Sequence, residues 1–308
     1  MSTSSHAVAL SISSLDKKYG DFEVINGLDL QIERGSIHGL VGLNGSGKTT
    51  IIECILGLQS RNSGSISILG HAPEQLHRAR GKVVAVFDTP SLYPNLTLRQ
   101  CLNHARLLCE TPVRSAQQVE LLLGIDRFSD FKIRHLSLGN KRRASIAQAL
   151  LGQPELIVLD EPFNGLDAEG VDDVLALITS LNREEGTTFL LSSHQLPYLE
   201  QICSHIAILH RGVIVVSDDI TSLLAQSSNT VLLKTEQQEK ALSLIQNRSE
   251  LNYLQTDQAG YLHIEIGATS SAALNQFLVE QQIPVSEMIV KRASLANLFR
   301  KITSEAPA

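Results

Sequence analysis

Hydrophobic and polar residues alternate over Val8 to Ser13 and again over Leu28 to Glu33, the period of half-buried strands. Ser36 to Val41 suits a short buried strand, and Thr50 to Leu58 a helix. Ile66 to Leu69 predicts another short strand, and Val83 to Phe87 a continuously buried one. From about Thr97 to Leu151 the pattern turns helical. Leu98, Cys101, Leu102, Ala105 and Leu108, then Val119, Leu122 and Leu123, recur three and four positions apart. Leu156 to Leu159, Thr187 to Ser192 and Ile206 to Leu209 again read as buried strands, with a helix over Val171 to Asn182. Strands interleaved with helices predict an α/β fold with a parallel sheet covered on both faces.

The polar stretch Gln226-Ser227-Ser228-Asn229 reads as a linker. Beyond it the order is strand (Thr230 to Lys234), helix (Gln238 to Asn247), strand near Leu251, strand (Tyr261 to Ile266), helix (Ser271 to Gln281), strand (Glu287 to Val290) and a last helix from Ser294. That is the βαββαβ plan of small ferredoxin-like domains. The expected organisation is a large domain over 1–226, with a helical subdomain at about 89–151, and a small α+β domain over 227–308.

Composition narrows the setting. The 308 residues are 43% hydrophobic with no Trp, and no apolar run approaches the length of a membrane span. Met1 to His6 lacks the basic and apolar regions of a signal peptide, so a cytosolic protein is expected, with any membrane spans supplied by another chain. The net charge of −6 argues against nucleic acid as the main partner. Cys54, Cys101, Cys109 and Cys203 show no metal-site spacing and read as reduced packing residues. Lys141-Arg142-Arg143 reads as the exposed face of a helix.

The chemistry enters at Gly42-Leu43-Asn44-Gly45-Ser46-Gly47-Lys48-Thr49-Thr50, a complete G-x-x-x-x-G-K-[ST] phosphate loop between a strand and a helix. Its glycines let successive N–H groups turn inward onto phosphate oxygens, and the helix N-terminus adds positive charge. Lys48 is expected to reach the β- and γ-phosphates, and the Thr49 hydroxyl to ligate Mg²⁺. Downstream, Leu156 to Leu159 ends in Asp160-Glu161. An acid pair after a strand is also a common surface feature, but below a phosphate loop it suits metal binding by Asp160 and water activation by Glu161.

Five further segments carry a pattern. Leu136-Ser137-Leu138-Gly139-Asn140 resembles the Leu-Ser-Gly-Gly-Gln signature of ATP-binding-cassette (ABC) ATPases, keeping Ser137 and Gly139. Asn164-Gly165-Leu166-Asp167 resembles that family's D-loop. Ser192-Ser193-His194 resembles its H-loop, and Tyr19 resembles the aromatic that stacks on adenine. Phe87-Asp88-Thr89-Pro90 occupies the Q-loop position with Asp88 in place of Gln.

The whole chain resembles the ATPase subunit of bacterial ABC-2-type transporters, the group containing bacitracin-resistance, sodium-efflux and copper-processing systems. The resemblance implies two copies, or paired ATPase subunits, closing on two ATP–Mg²⁺. Each nucleotide is held by one copy's Gly42, Asn44, Gly45, Ser46, Gly47, Lys48, Thr49 and Thr50, with Tyr19, and by the other's Ser137, Gly139 and Asp167. It implies Mg²⁺ at Thr49, Asp160 and, through water, Asp88. Catalysis falls to Glu161, His194 and Lys48. It also implies a separately encoded integral membrane permease, reached through the region around Ser91 to Thr97, and a peripheral location on the cytoplasmic face of the plasma membrane. Leu92, Tyr93 and Leu96 there read equally as core. The rival functions are a soluble ABC ATPase acting on other assemblies and a nucleotide-dependent switch without transport.

Overall fold

The computed structural model describes residues 8–225, 229–267, 269–291 and 294–305. The expected linker positions Gln226 to Ser228 and the N-terminal Met1 to His6 lie outside the described residues. The chain divides into two compact units, Met1–Ile220 and Thr221–Ala308.

In the first unit, β1 (Val8–Tyr19) and β2 (Phe22–Glu33) form an antiparallel hairpin, and β4 (Ser63–Ile68) pairs with the other edge of β1. Both long strands outrun the alternating stretches of sequence. Register shifts around Ile12 to Lys17 break the period of two while the pairing continues.

The second sheet has the order β5-β6-β7-β3-β8-β9. Its strands are β3 (Ile37–Val41), β5 (Val83–Val86), β6 (Leu156–Asp160), β7 (Thr188–Ser193), β8 (His205–His210) and β9 (Val213–Asp219). All pairs are parallel except β8–β9, so the expected parallel sheet is a mixed one. The antiparallel return is made at Arg211-Gly212, both with positive φ, as a tight hairpin requires. β6 and β7 are buried throughout. β5, expected to be buried, is half-buried because it forms the sheet edge.

Between the two sheets lies α1 (Lys48–Ile55), whose Ile51, Ile52, Cys54 and Ile55 join a core with Leu10, Leu30, Ile68, Leu156 and Val158. The helical segment comprises α2 (Leu98–Leu108), α3 (Ala116–Leu122) and α4 (Leu138–Ala149). Thr97 and Ser115 start α2 and α3 with capping boxes, and Ser137 caps α4, each cap worth about 1 kcal/mol. α5 (Ala168–Glu185) follows, capped by Asp167 and stopped by Gly186 in the left-handed conformation. The short α6 (Leu196–Ile202) had no sequence counterpart, since seven residues give too little periodicity to read.

One expectation is overturned here. Arg142, read from Lys141-Arg142-Arg143 as exposed, is only 2% accessible. It stands one helical turn before buried Ile146 and so faces inward from α4.

α7 (Ile220–Ala225) precedes the strands of the second unit in sequence. There, β10 (Thr230–Lys234), β11 (Asn252–Thr256), β12 (Leu262–Glu265) and β13 (Glu287–Lys291) form an antiparallel sheet of order β11-β12-β10-β13. α8 (Gln238–Gln246) and α9 (Ser271–Glu280) complete a βαββαβ sequence of elements around Val231, Leu233, Ala241, Ile245, Ile264, Leu274 and Leu278. α10 (Leu295–Glu305) ends the described chain, with Leu295 and Phe299 buried. All four cysteines are free, and all but Cys109 are buried. Among the described residues no helix is long and apolar enough to cross a membrane.

Candidate active site

Sheet register assembles the site. Val41 lies opposite Ser193, Asp160 opposite Ser192, and Val86 opposite Leu159. The carboxyl ends of β3, β7, β6 and β5 therefore stand side by side, the edge where open α/β sheets bind ligands. The loops leaving them carry Gly42 to Gly47, His194, Glu161 and Asp88.

The loop after β3 turns through Gly45 at φ +80° and Gly47 at φ +106°, a conformation suited to glycine. A methyl group on Gly42 would come within 2.4 Å of Ser46 Oγ and 2.9 Å of the Leu209 carbonyl. Gly47 caps α1 with no side-chain bond to its first N–H groups, and Lys48 Nζ folds back onto the carbonyls of Gly42 (2.8 Å) and Leu43 (3.3 Å). Ser46 Oγ is buried without a hydrogen-bond partner. Unused amides, a confined cation and an orphaned hydroxyl fit an oxyanion ligand of several oxygens.

At the opposite wall, the Thr49 hydroxyl donates to Asp160 Oδ2 at 3.0 Å, and Ser192 Oγ holds Asp160 Oδ1. Among the described residues no group of three or more His, Cys, Asp or Glu could hold a metal by itself. Hydroxyl and carboxylate oxygens here suit Mg²⁺, which takes few protein ligands and completes its shell with water and phosphate.

Glu161 is buried and sits at φ +49°, uncommon for a residue with a side chain. Its N–H donates to the Ser192 carbonyl (2.9 Å), and its carbonyl accepts from Arg142 Nη1 (2.8 Å). The carboxylate meets Lys48 Nζ at 3.4 Å and His194 Nδ1 at 2.9 Å, and accepts from Ser193 Oγ at 3.2 Å. The His194 side chain is 42% exposed, so it can turn toward a ligand in the cleft.

These groups line an open cleft of about 460 Å³. Of the residues singled out in the sequence, Asn44, Gly45, Gly47, Lys48, Thr49, Thr50, Asp88, Asp160, Glu161 and His194 face it. Ser137, Gly139 and Asp167 do not; Ser137 and Asp167 lie exposed at the starts of α4 and α5. Gly139 packs beside Gly165 and Leu166, so these two helix starts form one surface. Tyr19 lies off the cleft with Lys17 Nζ 4.7 Å above its ring, whereas Phe22, across the same hairpin turn, lines it. Val24 and Asn164 also line it. Phe22 was not singled out in the sequence, where its one signal is an aromatic just past Gly20-Asp21.

Asp88 is half-exposed, with Oδ1 accepting from Arg142 Nη2 (2.6 Å) and Asn164 Nδ2 (3.2 Å). A second groove of about 430 Å³ opens behind it, between Phe87 to Ser91, Ala105 and Leu108 of α2, and Ser145 and Gln148 of α4. Tyr93 is exposed and meets His104 edge-on at 5.2 Å, while Leu92 and Leu96 are half-buried.

A profile described as "ABC transporter" matches residues 25–164. The ABC transporter ATP-binding protein YdbJ of Bacillus subtilis is 33% identical over 96% of this chain and 95% of its own length. The bacitracin transport ATP-binding protein BcrA of Bacillus licheniformis is 32% identical over 94% of this chain and 95% of its own. A solved ATP-binding subunit of an ABC transporter superposes with a TM-score of 0.64 at 28% identity, covering 71% of this chain and 92% of that one.

Proposed function

The chain belongs to the ABC transporter ATP-binding protein family, and on that premise we propose that it binds ATP with Mg²⁺ and hydrolyses it to drive a separate membrane-spanning subunit. The observation that carries this is the meeting, in one cleft, of Lys48 Nζ, the Thr49–Asp160 pair and the Glu161–His194 pair.

Each side chain has a distinct task. The loop amides and Ser46 Oγ donate to the phosphate oxygens, and Lys48 places a fixed positive charge beside the β- and γ-phosphates. Thr49 and Asp160 would hold Mg²⁺, which would supply further positive charge to the phosphates. Glu161 accepts the proton of the attacking water or orients it, and His194 fixes the γ-phosphate from the far side. Phe22 or Tyr19, at the mouth of the hairpin, offers an aromatic face to adenine.

Ser137, Gly139 and Asp167 serve the nucleotide of a second copy or paired subunit. This is supported by the exposure of Ser137 and Asp167 and by the place of all three outside the cleft that their own phosphate loop lines. A site of this kind completes itself on ATP-driven closure and opens after hydrolysis, a two-state switch. The groove between Phe87 to Ser91 and α2 and α4 suits a short helix of the permease, which supports a peripheral location on the cytoplasmic face of the plasma membrane. The small second unit extends the ATPase core as an accessory domain.

The test is steady-state ATP turnover of the wild type beside Glu161→Gln, with gel filtration in ATP. Turnover lost in the variant, together with a dimer that forms only with ATP, is the expected result. Equal turnover in the two proteins would remove Glu161 from the mechanism. ATP binding with no hydrolysis in either would leave a nucleotide switch.

A further inference from the structure

Arg142 is a charged side chain in the interior, 2% accessible, with Nε buried and unpartnered. Burying a guanidinium is unfavourable unless charge and hydrogen bonds compensate. The compensation is specific. Nη1 donates to the Glu161 carbonyl (2.8 Å), and Nη2 donates to both the carbonyl (2.5 Å) and Oδ1 (2.6 Å) of Asp88. One side chain of α4 thus ties together the segments that follow β6 and β5.

The bond to Glu161 falls on a residue whose backbone is unfavourable for its type, φ +49°. Such conformations persist where surrounding contacts over-determine them. Both backbone polar groups of Glu161 are engaged, N–H by the Ser192 carbonyl and C=O by Arg142 and, at 3.2 Å, by the Asn164 N–H. Rotating this peptide out of the left-handed region would swing the carboxylate away from Lys48 and His194. Asp88 supplies the negative charge that lets the guanidinium stay buried, and its Oδ1 is committed to Arg142 and Asn164. From Asn164, bonds run on through Gln195 (3.0 Å) and Ser193 (3.0 Å) to the Glu161 carboxylate (3.2 Å), closing a ring of contacts.

We propose that Arg142 is the positioning residue for Glu161, with Asp88 acting as its counter-ion rather than as a metal ligand. The inference rests on the hydrolytic role given to Glu161 above. It also makes α4 a mechanical link, because Arg142 lies little more than one turn from Ser137, which caps that helix. A shift of α4 at its Ser137 end reaches Glu161 through Arg142 Nη1, with no flexible loop between.

The experiment compares wild type, R142K, R142M, D88N and E161Q for kcat and KM for ATP, and for hydrogen exchange in the peptide spanning 160–166. R142M is expected to lower kcat on the order of 10- to 100-fold with KM within about threefold, the signature of a misplaced reacting group rather than lost binding. R142K keeps the charge but not the planar fork and falls between R142M and wild type. D88N keeps an acceptor oxygen and lowers kcat only a few-fold, about threefold. Exchange at 160–166 quickens in R142M while circular dichroism stays that of the wild type. Should R142M fail to fold, R142K and D88N carry the same comparison. Wild-type kcat in R142M, or unchanged exchange at 160–166, would overturn the proposal. If wild type and E161Q turn over alike, the hydrolytic role of Glu161 fails, and the exchange data still decide whether Arg142 clamps this segment.

Discussion

Replacing His38 by Gln should remove most of the acid sensitivity of the central sheet. His38 lies on β3, 4% accessible, with its ring stacked on that of His205 from β8 at 4.7 Å and 6°. Burial, then the neighbouring His205, lowers its pKa from 6.5 to about 4. The neutral ring is the one the native state holds, so the sign follows from linkage. Above pH 6.5 both folded and unfolded chains are neutral at this site and nothing is lost. Below it the unfolded chain takes up a proton that the folded chain refuses until about pH 4, and stability falls through that window. With one pKa unit worth about 1.4 kcal/mol, moving from about pH 7.5 to about pH 4.5 removes about 2.5 kcal/mol. The assay is urea unfolding of wild type and H38Q at both pH values, read by hydrogen exchange in the peptide containing β3. The change with pH in wild type minus the change in H38Q isolates this ring together with its coupling to His205, since titrating groups away from the pair cancel. A double difference below about 0.5 kcal/mol would refute the reasoning, as would a His38 ring titrating near 6.5 by NMR in the folded protein.

Gly42→Ala forces a methyl against Ser46 Oγ and the Leu209 carbonyl, so ATP binding measured by isothermal titration should weaken at least about tenfold, with about 1–3 kcal/mol lost in unfolding. Ser137→Ala should cost about 1 kcal/mol of helix capping and cut turnover by the dimer, yet leave ATP affinity of the isolated subunit unchanged; a fall in that affinity would place Ser137 in its own site. Phe22→Ala should raise KM for ATP several-fold more than Tyr19→Ala, because Phe22 lines the cleft; the reverse order would return the adenine contact to Tyr19.

The site was legible where one short segment carries a whole task. Gly42 to Thr50 and Asp160-Glu161 needed only their own spacing, and parallel register then placed them together. The aromatic was not, since Tyr19 and Phe22 flank one turn and only the twist of the hairpin decides which lines the cleft. β9 was missed because its pairing depends on the Arg211-Gly212 turn rather than on alternation within the strand. Arg142 marks the deeper limit. Three basic residues in a row on a helix spell a solvated face, and a single buried member shows itself only when its counter-charge is known. That counter-charge, Asp88, lies 54 positions upstream, and in sequence it looked like a substitution in a metal-contacting loop. Taken together the two departures explain each other: an acid at 88 supplies the charge that a buried arginine at 142 requires, and the arginine in turn occupies the acid. A change at either position is therefore a change to the segment carrying Glu161. Double substitution at 88 and 142 should accordingly be non-additive in kcat, whereas Phe22 and Arg142, which share no contact, should combine additively.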